Sequence, residues 1–132
     1  MTKNLIVKII VSESVETQYN GIQQRQLIVN PVISLRTKFI PTSLSMGITI
    51  IVAGMEANND YNLNIKLKHK ETDNVVFVTG DNKFTPPPHA DNFIANVDLK
   101  NIAIEHEGEY LATIEIDGEP YSDKFFILKS LD

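Results

Sequence analysis

The sequence predicts an all-β protein, an antiparallel immunoglobulin-like β-sandwich of about seven to eight strands. Three observations predict it. Apolar residues recur with a period of two rather than 3.6. Turn signals punctuate the chain at short, regular intervals, with no helical stretch between them. Glu107-Gly108-Glu109-Tyr110-Leu111-Ala112 opens the penultimate strand. This is how a tyrosine corner begins: a tyrosine after a glycine turn, two residues before an inward core position, its hydroxyl bonding back to the backbone.

The elements follow in order. Leu5–Val11 is an apolar run interrupted by Lys8. The segment 12–18 has room for one helical turn capped by Ser12, and Asn20-Gly21 closes the first connection. Gln26–Leu35 reads as a strand, and Pro31 places it at an edge or a bulge because proline donates no ladder bond. Pro41 precedes the strand Leu44–Val52, in which Gly47 marks a bulge or a close backbone approach. After a polar link from Gly54 to Asp60, Tyr61, Leu63, Ile65 and Leu67 alternate with Asn62, Asn64, Lys66 and Lys68. The short link Glu71–Asn74 makes a hairpin of this strand with Val75–Thr79. Phe93, Ala95, Val97 and Leu99 alternate with Asn96, Asp98 and Lys100; Tyr110, Ala112, Ile114 and Ile116 alternate with Thr113 and Glu115. Asp117-Gly118 is a strong short hairpin signal and leads into Lys124–Lys129.

Composition bounds the rest. With 132 residues, the chain has one domain's worth of sequence. It has no cysteine, which excludes disulfides, cysteine nucleophiles and thiolate zinc sites. The net charge of −5 argues against a direct nucleic-acid binder. No window is long and apolar enough for a membrane helix, and the N-terminus lacks a signal-peptide pattern. The expectation is a soluble, cytoplasmic protein. Seventeen Ile, ten Lys against two Arg, and twelve Asn point to an AT-rich bacterial or phage source.

The order of several short motifs resembles a family of uncharacterised β-sandwich proteins of bacteria and their phages, a domain of unknown function. The resemblance runs from about Pro31 to Leu128. It is carried by Phe39-Ile40-Pro41-Thr42, Leu63-Asn64-Ile65-Lys66-Leu67, Pro86-Pro87-Pro88, Val97-Asp98-Leu99, Gly108-Glu109-Tyr110 and Ile116-Asp117-Gly118. It implies the sandwich fold and brings no catalytic residue with it.

The residues that carry chemistry are sparse. His69, His89 and His106 are not spaced as a ligand pair and read as solvent-facing or loop residues. Asn58-Asn59-Asp60, Glu71-Thr72-Asp73-Asn74 and Asp81-Asn82 offer oxygens for a calcium or small-ligand site, the alternative function. They also suit ordinary turns, and no EF-hand pattern accompanies them. There is no nucleophile elbow, Ser-x-x-Lys pair or phosphate-binding loop. No cofactor, metal or enzymatic activity is expected.

Charge is unevenly spread: residues 1–40 carry +3, residues 41–100 carry −2 and residues 101–132 carry −6. Glu105, Glu107, Glu109, Glu115, Asp117, Glu119 and Asp123 gather around the corner and the terminal hairpin, either an acidic surface for a basic protein partner or a solvated sheet face that keeps the fold soluble. Phe84-Thr85-Pro86-Pro87-Pro88-His89 is a stiff, partly apolar loop, either a contact loop or a crossover between sheets. Tyr61 and Tyr110 are expected inside, Tyr19 and Tyr121 freer. Lys66, Lys68 and Lys70 are expected to discourage edge pairing. The functional expectation is a non-enzymatic protein-binding module, either an accessory assembly module or an inhibitor of a host protein, that touches neither membrane nor nucleic acid. Leu5–Val11 is a candidate edge for a homodimer.

Overall fold

The computed structural model describes residues 5–88 and 91–130, which form ten strands and no helix. The strands are β1 (Ile6–Asn20), β2 (Gln23–Val32), β3 (Ser34–Thr37), β4 (Thr42–Ala53), β5 (Tyr61–His69), β6 (Val75–Val78), β7 (Asn82–Phe84), β8 (Asn92–Ile104), β9 (Gly108–Ile116) and β10 (Glu119–Lys129). The first sheet has the order β2-β1-β4-β8. The second has β3-β10-β9-β5-β6, with β7 also pairing β5. The architecture is an immunoglobulin-like sandwich, with one layer built on β1, β4 and β8 and the other on β5, β9 and β10.

The strand count exceeds the seven or eight expected, for two reasons. The run expected as Gln26–Leu35 breaks at Ile33, where the chain leaves β1 and joins β10: Phe126 N–H donates to the Ile33 carbonyl. β7 is only three residues long, too short to show a period. The sheets are also not wholly antiparallel, because β3 runs parallel to β10. The segment 12–18 is strand rather than a helical turn. It is polar at every position but Val15 and pairs with Pro31 through Arg25.

Alternation places the core where the sequence puts it. Met46, Ile48, Ile50 and Val52 of β4 face Tyr110, Ala112, Ile114 and Ile116 of β9 in one buried cluster with Phe125 and Ile127. The Asp117-Gly118 turn has both residues at positive φ, 51° and 85°, as a two-residue hairpin requires. Pro31 lies in β2, an edge strand, where a missing donor is harmless. Leu44 pairs Ile102 and Met46 pairs Leu99, so two steps along β4 meet three along β8. The bulge is therefore in β8, at left-handed Asn101 (φ 55°), whose N–H donates to Ser45 Oγ at 3.1 Å. Gly47 marks the close approach instead.

β5 lies between β9 and β6, so Lys66, Lys68 and Lys70 line a sheet face and its end rather than a free edge. β1 lies between β2 and β4, and within the expected segment Leu5–Val11 the run Ile6–Ile10 keeps one side without a described strand. The edge expected over Leu5–Val11 is thus a short one. Among the described residues no helix is long and apolar enough to cross a membrane.

Candidate functional site

The seven acidic residues of the C-terminal third do not form one surface. β9 separates Gly108 from Ile116 by about 26 Å at the usual rise per residue. Glu105, Glu107 and Glu109 stand at one end of the sandwich; Glu115, Asp117 and Glu119 stand at the other. Most have local partners. Glu107 Oε2 accepts the Lys129 N–H at 2.9 Å, and Glu109 pairs with Lys70 Nζ at 3.2 Å. Asp117 Oδ1 accepts the Asn62 N–H at 2.8 Å, tying the terminal turn to β5. Glu119 accepts the Tyr121 hydroxyl at 3.3 Å; burial first, and this carboxylate second, push the Tyr121 phenol upward from its ordinary value. Glu115 lies beside Asn64 and Pro120 on the outer face. Asp123 pairs with Ala112, an inward position. It is nevertheless exposed, and its Oδ1 accepts the Lys124 N–H. There it borders a cleft of about 360 Å³ with Ile9, Val11, Val32, Ile33 and Phe125.

The proline loop is the crossover from β7 in the second sheet to β8 in the first. Phe84 packs on Phe93 with ring centroids 4.0 Å apart, Pro86 is buried, and Thr85 Oγ1 donates to Asp60. Pro87 and Pro88 are exposed. His89 lies outside the described residues.

His69 is buried at 4% exposure, contrary to the expected solvent-facing histidine. Its Nε2 donates to the Glu107 carbonyl at 3.0 Å, which fixes the tautomer; Nδ1 then accepts from Thr72 Oγ1 at 2.9 Å. The His106 ring stacks on it at 5.1 Å, and Tyr110 meets its edge at 5.0 Å. The Tyr110 hydroxyl donates to the His106 carbonyl, completing the tyrosine corner. Burial raises the Tyr110 phenol from its ordinary value, with a smaller push from Glu105 and an opposing pull from that hydrogen bond. The histidines meet, yet both nitrogens of His69 are already used.

The aspartates of the turns are committed likewise. Asp60 takes Thr85, Asp73 pairs with Lys68 at 3.0 Å, and Asp81 takes Asn64 Nδ2 at 3.3 Å. Among the described residues no group of three or more His, Asp or Glu is placed to hold a metal ion.

What the sequence reading missed is an arm. Beyond Ser12, β1 leaves β4 and continues with β2 alone, as a hairpin laid across the outer face of the first sheet. Val15 sits on Gly47 of β4. Further along, Thr17 Oγ1 donates to Gln26 Oε1 at 3.2 Å, Asn96 Nδ2 of β8 to the same oxygen at 2.9 Å, and Thr49 Oγ1 to Asn96 Oδ1 at 2.6 Å. Thr49 is 1% exposed on a face that would otherwise meet water. The tip, turned by Gly21 at φ 65°, holds Tyr19 at 75% and Ile22 at 104% exposure. The available signal was the pairing of a glycine and a threonine, Gly47 and Thr49, on the outer face of an otherwise apolar strand.

Comparison with known proteins places the chain in a family of unknown function, DUF6941, which matches residues 9–127; the chain belongs to that family. No curated protein matches it. Among solved structures it is similar in fold to part of a β-glucosidase from Listeria innocua, at 9% identity and a TM-score of 0.47, covering 95% of this chain but 16% of that one. The chain therefore spans about one sixth of the glucosidase's length. It is also similar to an immunoglobulin-like protein from Pseudomonas aeruginosa, at 8% identity and a TM-score of 0.43, covering 96% of this chain and 98% of that one.

Proposed function

We propose that this member of a family of unknown function is a non-enzymatic protein-binding module whose principal contact is the tip of the N-terminal arm. One observation carries the reading. Tyr19 and Ile22 stand almost fully in water at the end of a hairpin that is itself pinned to the sheet through Gln26, Asn96 and Thr49. Exposed apolar side chains on a prearranged support lose little entropy on binding. The exposed Pro87-Pro88 segment and the acidic residues of the terminal hairpin, foremost Glu115, Asp117 and Glu119, are secondary contacts in this reading. The AT-rich residue choice suits a bacterial or phage setting, in which the module acts in the cytoplasm as an accessory part of an assembly or as a blocker of a host protein.

Affinity capture from a bacterial lysate tests this with three baits: the wild-type chain, Tyr19→Ser/Ile22→Ser, and Glu115→Lys/Glu119→Lys. A discrete partner lost with the first variant supports the arm. Loss with the second alone moves the contact to the acidic hairpin. No partner with any bait overturns the reading.

A further inference from the structure

A sheet edge presents unpaired N–H and C=O groups, and proteins usually blunt it. Outside the arm, most edges among the described strands are short or blunted. β2 carries Pro31 beside left-handed Asn30. β3 and β6 have four residues each and β7 three. The free stretches of β1 are Ile6–Ile10, with Lys8 at its middle, and 13–20 in the arm, with Glu13 and Glu16. On β10 the groups of Phe126 face β3, so by alternation those of Pro120, Ser122 and Lys124 face the open side. Pro120 has no donor there, and Asp123 caps the N–H of Lys124.

β8 differs. It has 13 residues, pairs only with β4 among the described strands, and is interrupted only by the bulge at Asn101. The stretch Asn92-Phe93-Ile94-Ala95-Asn96-Val97 before it has no charge, proline or glycine. Phe93 and Val97 are half-buried on its inner face; Ile94 is 43% exposed on its outer face.

The arm lies over this same edge. It passes from Gly47 on β4 to Asn96 on β8, and Asn20 is three residues beyond Thr17. At about 3.3 Å per residue the tip lies about 10 Å further along the arm, at most two strand spacings past Asn96. The arm thus runs from β4 across β8 toward the side on which a next strand of the sheet would lie.

We propose that the β8 edge beneath the arm tip takes an extended peptide segment of a partner protein, added as a fifth strand to the first sheet. The proposal rests on the protein-binding reading above and names the partner's chemistry. Free main-chain groups along Asn92–Val97 require a main chain in β conformation. Inward side chains of the added strand join Phe93 and Val97, and outward ones lie beneath Tyr19 and Ile22. The segment is therefore five or six uncharged, β-forming residues without proline, since a charge on either face would be buried without a partner.

The probe is a displayed library of random linear twelve-residue peptides, selected on the wild-type chain. Enrichment of uncharged, proline-free β-forming runs is expected. The selected peptide, added to the protein, should slow hydrogen exchange at alternate amides between Phe93 and Leu99, which exchange rapidly without it. Tyr19→Ser/Ile22→Ser, which changes only exposed side chains, should weaken binding about tenfold or more, as should Ala95→Lys, which sets a charge on the inner face of the edge. A thermal melt confirms that Ala95→Lys folds. Absence of enrichment, peptides that bind Ala95→Lys equally well, or protection elsewhere overturns the proposal. So does a wild-type dimer in light scattering that Ala95→Lys dissociates, because the occupant would then be a second copy. If selection fails while the lysate partner is still lost with the tip variant, strand addition falls and the binding-module reading stands.

Discussion

Gly47 and Val15 touch where the arm crosses the first sheet: a Cβ on Gly47 would stand 2.6 Å from Val15 Cγ1. It would also meet Ser12 Oγ at 2.9 Å and the Ser14 carbonyl carbon at 3.1 Å. The glycine is what lets a second layer of backbone lie flat on β4. Gly47→Ala should cost about 1–3 kcal/mol by overpacking, read from urea denaturation. Adding Val15→Ala should restore part of that loss, because the tightest contact is then removed. A fully neutral Gly47→Ala would mean that the arm does not rest there.

Tyr110 and the His106 carbonyl close the corner at the opposite end of β9 from the terminal turn. Tyr110→Phe keeps the packing against Phe125, whose ring centroid is 5.8 Å away, and removes only the hydroxyl. A loss of about 1–2 kcal/mol is expected for a buried bond of this kind. In the same variant the stacked His106 ring should loosen, visible as a shift of the His69 and His106 ring resonances.

The raised Tyr110 and Tyr121 phenols make stability fall in alkali. Their unfolded-state value is near the ordinary 10.0, and the folded value lies above it. Between the two, the unfolded chain has released protons that the folded chain still holds, so unfolding gains. Stability from this source is full below pH 10.0 and declines as pH rises through that value toward the folded one. Tyr110→Phe should flatten the decline in a series of melts between pH 9 and 11; an unchanged slope would assign it to other groups.

Asp117 does two things in the terminal turn. It adopts positive φ, and its carboxylate holds the Asn62 N–H. Asp117→Asn retains an acceptor oxygen and tolerance of the left-handed region, so it should be almost silent. Asp117→Ala loses both and should cost about 1–2 kcal/mol. Equal effects of the two substitutions would show that charge, rather than shape and hydrogen bonding, is what matters at this turn.

Much of this fold is legible in local pattern. The alternation of β5, β8 and β9, the Asp117-Gly118 turn and the tyrosine corner each depend on residues close in sequence, and each is found as read. What escaped reading depends on which strand lies beside which. Whether 12–18 forms a turn of helix or half of an arm is settled by Val15 meeting Gly47 and Gln26 meeting Asn96, contacts across 32 and 70 positions. His69 reads as a strand-end residue until Thr72, Glu107 and His106 surround it. The acidic run looks continuous along the chain because a β-strand hides its length in few letters. Nine residues carry Glu109 and Asp117 to opposite ends of the molecule.

The arm also has a consequence for how this scaffold can vary. β1 stops pairing with β4 at Ser12, and the chain rejoins the sandwich at Val32 and Ile33, so the hairpin between them contributes no side chain to the inner cluster. Its length is an adjustable parameter. Deleting or adding one residue pair on each side of the turn moves the tip by roughly two rises, about 7 Å, and keeps every side chain on its own face. A single unpaired insertion instead turns Tyr19 over to the opposite face. Relatives of this chain are thus free to change reach in steps of four residues while the two layers beneath remain untouched.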